Sequence, residues 1–280
     1  MDIVHAAQMP WGESLVAHRK GGIAHKVLFE GEEGSPDNYL LVVAREASTY
    51  YSPRHRHAWD QVRLSLEGSI PIGKDLNVDG GEVGYFPEGV PYGPQEGGTD
   101  RIVLLLQFGG ASGLGYLSPR QLREGHQALM AEGVFEDGVF RRTSGEGKKN
   151  LDAYEAIWRQ VTGRPIVYPK PRFKTPLVMR PEGFRWRQVA DAPGVRRKVL
   201  GVFPDRGLEL ESIALDAGAS FRLGPLDARR LIFVREGRGQ CGAEAYAAQS
   251  AVRLEPGEAA GIAASAPSEL FVIAAGVIEA

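Results

Sequence analysis

His55 and His57 stand one residue apart in SPRHRHAWDQVRLSLEG, the stretch from Ser52 to Gly68. In extended backbone, successive side chains alternate faces. An H-x-H pair therefore sends both imidazoles to one side, where two neutral nitrogens can converge on a divalent cation. The same alternation brings Trp59 to the histidine side and gives Gln61, Arg63 and Ser65 one face and Val62, Leu64 and Leu66 the other. By itself the pair also fits two packed or surface histidines, because protein metal sites generally use three protein ligands.

The residues around the pair carry more information. Gly68 follows at a fixed distance, and a second stretch contains Gly81, Pro87, Gly89 and Tyr92. Together they resemble the two motifs of the cupin family, G-x5-H-x-H-x3-E-x6-G and G-x5-P-x-G-x2-H-x3-N. The chain supplies His55, His57 and Gly68 of the first motif and Gly81, Pro87 and Gly89 of the second. It departs from the motifs at Thr49 for the leading glycine, Gln61 for the acidic ligand, Tyr92 for the third histidine and Glu96 for the asparagine.

The resemblance implies a double-stranded β-helix barrel with one divalent metal ion inside, on His55, His57, Gln61 and Tyr92. Iron, manganese, nickel and zinc all suit nitrogen and oxygen donors. Gln61 offers a neutral carbonyl oxygen and no compensating charge. Tyr92 can serve as a phenolate ligand, as a proton donor to a substrate, or as a packed aromatic. If Gln61 faces the interior, so does Arg63. A buried guanidinium needs an anion, either a substrate carboxylate or an internal acid. Tyr92 and Arg63 are therefore the candidate catalytic residues.

The elements that must hold these residues are legible as short apolar or alternating runs between turns: Tyr39–Ala44, His55–Trp59, Gln61–Leu66, Val83–Phe86 and Arg101–Phe108. With 36 glycines and 18 prolines in 280 residues, this is the texture of an all-β barrel or sandwich. Ser118 before Pro119 predicts a helix carrying Leu122, Leu129 and Met130 and stopping at Gly133. A second helical pattern opens at Asn150 with Leu151, Tyr154, Ile157, Trp158 and Val161 and stops at Gly163, and Pro165–Pro176 should run extended.

Beyond Pro181 the first motif's spacing recurs without its chemistry. With Gly218 and Gly237 on the framing glycines, Gly224, Leu226 and Arg230 fall on the ligand positions, and no histidine follows His126. The expected organisation is thus all-β: two cupin barrels, at 1–112 with an N-terminal arm and at 181–280, the second degenerate, joined by a helical and proline-rich connector at 113–180.

Lys and Arg total 33 against 35 Asp and Glu, a net charge of −2, which gives no field for nucleic acid. The single cysteine, Cys241, excludes an intramolecular disulfide. No apolar run approaches a membrane span, so a cytoplasmic protein without a membrane partner is expected. The resemblance implies a metal-dependent enzyme acting on a small molecule, with oxygenase-type, isomerase or lyase chemistry in reach, and a homodimer paired through sheet edges. The competing expectation is a non-catalytic protein that binds or senses a small ligand such as a carboxylate. His25 and the group His18, Arg19 and Lys20 are candidates to reach over the barrel mouth or to lie on the surface.

Overall fold

The computed structural model describes residues 1–15, 22–96 and 98–278, so His18, Arg19 and Lys20 lie outside the described residues. The fold is all-β: two double-stranded β-helix barrels and a partly helical segment. Contacts divide the chain into two compact units where the sequence suggested three segments. One is residues 11–178; the other combines 1–10 with 179–279.

The chain opens with strand β1 (Asp2–His5), which belongs to the second unit. It pairs antiparallel with residues 250–253, so it is an edge strand of that unit and no arm of the first barrel.

The first unit starts with β2 (Ile23–Glu30), β3 (Tyr39–Glu46) and β4 (Trp59–Glu67), followed by the hairpin β5 (Ile70–Gly73) and β6 (Leu76–Val78), then β7 (Val83–Phe86) and β8 (Arg101–Gly109). Next come helix α1 (Pro119–Leu129), strands β9 (Gly133–Glu136), β10 (Val139–Arg142) and β11 (Asn150–Asp152), helix α2 (Ala153–Thr162) and β12 (Leu177–Met179). The main sheet has the order β12-β7-β4-β8-β3-β2. Its register puts Arg63 opposite Leu105 and Leu105 opposite Val42; one level along, Gln61, Gln107 and Leu40 align.

Residues 55–58, expected as strand, are irregular. His55 makes only an isolated bridge to Tyr92, and regular pairing begins at Trp59. Ser118 caps α1 through a reciprocal capping box with Gln121 and has Pro119 behind it. Helix α2 starts later than Asn150, because Asp152 is its N-cap: one carboxylate oxygen accepts from the N–H groups of Tyr154 and Glu155. Gly163 ends α2 at φ 71°, as expected. Gly133 opens β9 instead of stopping α1, and the sheet β9-β10-β11 had no counterpart in the sequence reading.

The second unit contains β13 (Arg187–Gln188), β14 (Val195–Phe203), β15 (Leu208–Leu215), β16 (Ser220–Leu223), β17 (Arg229–Glu236), β18 (Arg238–Cys241), β19 (Glu244–Ala247), β20 (Ser250–Leu254), β21 (Ala260–Ala264) and β22 (Ser268–Ala275). Its sheets run β1-β20-β17-β22-β15-β14-β13 and β16-β21-β18-β19. Alternating residues such as Ile213, Ile232, Val252, Ile262 and Val272 meet in a continuous apolar core.

Candidate functional site

The nominated residues of the first unit converge on one atom, the hydroxyl oxygen of Tyr92. His55 and Tyr92 exchange backbone hydrogen bonds of 3.0 and 2.9 Å, which holds the histidine segment against the loop after β7. The turn that delivers Tyr92 contains Gly89, at φ 76°, whose N–H donates to the His57 carbonyl at 2.8 Å. An added Cβ there would meet the Pro169 carbonyl oxygen at 2.3 Å, so no other residue fits. Gln61 and Arg63 point inward from β4.

Around Tyr92 Oη stand His55 Nε2 at 3.1 Å, His57 Nδ1 at 3.4 Å, Gln61 Oε1 at 3.1 Å and Arg63 Nη2 at 3.0 Å. Arg63 Nη2 also donates to Gln61 Oε1 at 3.1 Å. This contact assigns the amide, because only the oxygen can accept from a guanidinium. His55 Nδ1 lies 2.6 Å from the Pro53 carbonyl, which can only accept. Nδ1 therefore carries the proton, and Nε2 turns a lone pair toward Tyr92. His57 is stacked on Trp59, ring centroids 4.2 Å apart and planes 13° apart, which fixes its orientation.

These are nitrogen and oxygen donors of the kind a divalent ion takes. Ligands about 2.1 Å from a shared cation lie roughly 3.0 to 3.4 Å from one another, the range in which His55, His57 and Gln61 each lie from Tyr92 Oη. The His55 tautomer is the one a metal ligand needs. The set lacks a carboxylate, and no cluster of three or more His, Cys, Asp or Glu suited to a metal occurs among the described residues. Charge balance on an ion would therefore fall to Tyr92 as phenolate, with Arg63 donating to the same oxygen.

These residues line a cavity of about 250 Å³. Its wall includes Leu40, Val42 and Leu105 from the sheet and Trp59 beside them. Leu122, Tyr116, Tyr154 and Tyr168 contribute from the helical segment and from the extended stretch after it. The Tyr154 ring packs on Trp59 at 4.8 Å and also borders the cavity. Burial pushes the Tyr116 and Tyr154 phenols far up, so both stay protonated. Exposed Arg54 and Arg56 stand among the lining residues with Asp152 and Glu155. His25 also lines the cavity. It is buried, accepts from the Leu15 N–H at 3.2 Å, and burial lowers its pKa, so it is a neutral structural residue.

On the opposite face of β4, Asp60 is fully buried in a polar cluster. Tyr85 Oη donates to it at 2.5 Å, the Glu88 N–H at 2.7 Å and Arg172 Nη2 at 3.2 Å, while Arg172 Nη1 reaches Glu88 at 3.2 Å. Burial raises the Asp60 carboxyl to about 6, against the opposing pull of these donors. Arg172 thus ties the stretch 165–176, which has no helix or strand and bends at 172–175, to the barrel. Tyr168, in the same stretch, has the Arg56 guanidinium 4.3 Å from its ring centroid.

In the second unit, the spacing-equivalent positions hold no comparable arrangement. Gly224 and Leu226 are exposed, and Arg230 donates to the Glu258 carbonyl at 2.6 Å.

No protein-family model matches the sequence, and the search of curated proteins finds no match. Solved structures do match in fold. A candidate dioxygenase from Nostoc punctiforme superimposes with a TM-score of 0.65 at 9% identity, over 99% of this chain and 83% of that one. A variant of Bacillus subtilis oxalate decarboxylase gives 0.57 at 12%, over 99% and 78%. Streptomyces albus HEPD, solved with 2-hydroxyethylphosphonate and Fe(II) bound, gives 0.57 at 13%, over 99% and 76%. These are cupin-fold proteins, and the likeness is one of fold.

Proposed function

We propose that the first unit is a metal-binding cupin centre that acts on a small organic molecule. His55 Nε2 and a His57 nitrogen would be the ligands, with Gln61 Oε1 and Tyr92 Oη completing the set. The observation that carries this reading is the gathering of His55, His57 and Gln61 donor atoms within 3.1 to 3.4 Å of Tyr92 Oη beside a cavity, with the His55 tautomer fixed by Pro53. A bound divalent ion would supply Lewis acidity and, if iron or manganese, a route to oxygenase-type chemistry. Isomerase and lyase reactions use the same Lewis acidity.

The protein's own groups define the rest. Tyr92 holds or releases a proton at Oη, and Arg63 stabilises the ionised form through its Nη2 hydrogen bond. Trp59 and the tyrosines wall one side of the cavity. The neighbours with named substrates, oxalate decarboxylase and the phosphonate-bound HEPD, fit a small-molecule role for this chain as well.

Metal analysis of protein purified without chelator or affinity metal tests the reading. One divalent ion per chain is expected, falling to background in the His55→Ala/His57→Ala variant while the circular dichroism spectrum is kept. Stoichiometric metal in that variant would refute the assignment.

One observation favours a second reading, a metal-free binding or sensing site. Arg63 already donates to both oxygens that a metal would use. In that case the wild-type protein takes up no stoichiometric metal from a panel of divalent ions yet still binds its ligand.

A further inference from the structure

Arg63 is 6% exposed and, among the described residues, forms no ion pair. Its Nη2 is used by Gln61 and Tyr92, whereas Nε and Nη1 are buried with no hydrogen-bond partner. Gln61 Nε2, on a fully buried side chain, has none either. All three are donors only, so the corner of the cavity at Arg63 and Gln61 is short of acceptors and of negative charge; of the carboxylates elsewhere on the lining, Glu46 is paired with Arg101 and Asp152 caps α2 beside Glu155. The rings of Phe86 and Tyr92, 4.9 and 5.2 Å from the guanidinium carbon, offset part of that charge and fix the plane of the group. Buried Arg101 is already paired with Glu46, a lining residue, at 2.6 Å.

What borders Arg63 is apolar. By register, Leu105 and Val42 lie level with it on the next two strands, and Leu40 is one level along, beyond Gln107. Two strand spacings give an apolar strip of about 10 Å. The cavity volume of about 250 Å³ corresponds to roughly eight waters.

We infer that the ligand of this site is an organic acid with one carboxylate and an apolar body. The carboxylate would sit on Arg63 and Gln61 Nε2, and the body would cover Leu105, Val42, Leu40 and Trp59. With the body laid along this strip, a second anionic group would lose its water without gaining a partner, since Arg54 and Arg56 are exposed members of the lining, so compact dianions are disfavoured. This inference rests on the cavity being the ligand site proposed above, but not on the metal.

The test is calorimetric titration with octanoate and phenylacetate, each against the alcohol of matching skeleton, octanol and phenylethanol, and with succinate as a small dianion. Each is run on wild-type protein with and without added metal and on the His55→Ala/His57→Ala variant. The acids are expected to bind at least ~tenfold more tightly than the alcohols and than succinate, since a charge-assisted hydrogen bond is lost with the carboxylate. Arg63→Met should bring the acid-to-alcohol ratio near one, and Arg63→Lys should restore part of it. The ratio should survive in the histidine variant, so failure of the metal reading and failure of this one are separable. Equal affinity of acid and alcohol, tighter binding of succinate, or no acid binding at all would overturn the inference; because these comparisons vary the ligand, they stand even if Arg63→Met misfolds.

Discussion

Asp60 and Gln61 are neighbours in sequence but occupy opposite faces of one strand, and their environments diverge. Gln61 carries no charge and helps to build the site. Asp60 carries one into a fully buried position. Its folded-state pKa of about 6 lies above the ordinary 3.8. Below about pH 4 both folded and unfolded states hold the proton; as pH rises toward about 6 the unfolded state releases it first, so stability is lost through that window. The loss amounts to ~3 kcal/mol at most. Asp60→Asn should remove it. The unfolding free energy of wild type relative to the variant, from urea titrations, is expected to fall by that amount between about pH 4 and about pH 7; a difference independent of pH would count against it. At this scale the residues that gather at Tyr92 were legible as candidates, because the H-x-H pair and the Gly-Pro-Gly spacing are local signals. Asp60 was not: its partner Arg172 is 112 positions away, and nothing near Asp60 announces that an arginine will cover it.

The proline-rich stretch 165–176 illustrates the same limit for elements. Its prolines correctly exclude a helix, yet they do not tell what it lies on. In the structure Arg172 bonds two buried carboxylates from it, Asp60 and Glu88. Arg172→Met leaves both without their cation. The expected cost is about 3 kcal/mol, the low end of the range for removing one partner of a buried pair, since the arginine side chain remains 22% exposed. A lower urea midpoint together with new proteolytic cleavage between 163 and 176 would register it, and unchanged cleavage would show that the stretch is held by something else. Helix α1 was readable from Ser118 and Pro119, which act within one turn. The sheet β9-β10-β11 was not, because its strands are only three or four residues long and mix charges with apolar residues, too short for a period to emerge.

Across the whole molecule, one architecture has two interiors. The first unit keeps a cavity among polar side chains, and the second is filled by aliphatic ones. The sequence suggested that the second half keeps the motif's glycine spacing without its ligand residues. It did not show what replaced them, since inward positions are known only once strands are in register. Ile232, 1% exposed in that core, should cost ~2–5 kcal/mol when changed to Ala, with metal content per chain unchanged. A variant that lost metal while the remaining fold persisted would contradict the proposal that the second unit carries no metal chemistry.

The pairing of β1 with residues 250–253 also orders events in time. During synthesis the first residues of the chain leave the ribosome long before their sheet partners exist. The unit formed by 11–178, by contrast, is continuous, and domains tend to fold as units from the N-terminal end. The cavity and every residue converging on Tyr92 lie in that continuous segment. Formation of the cavity therefore need not await residue 250, whereas the second unit closes only after residue 253 has emerged.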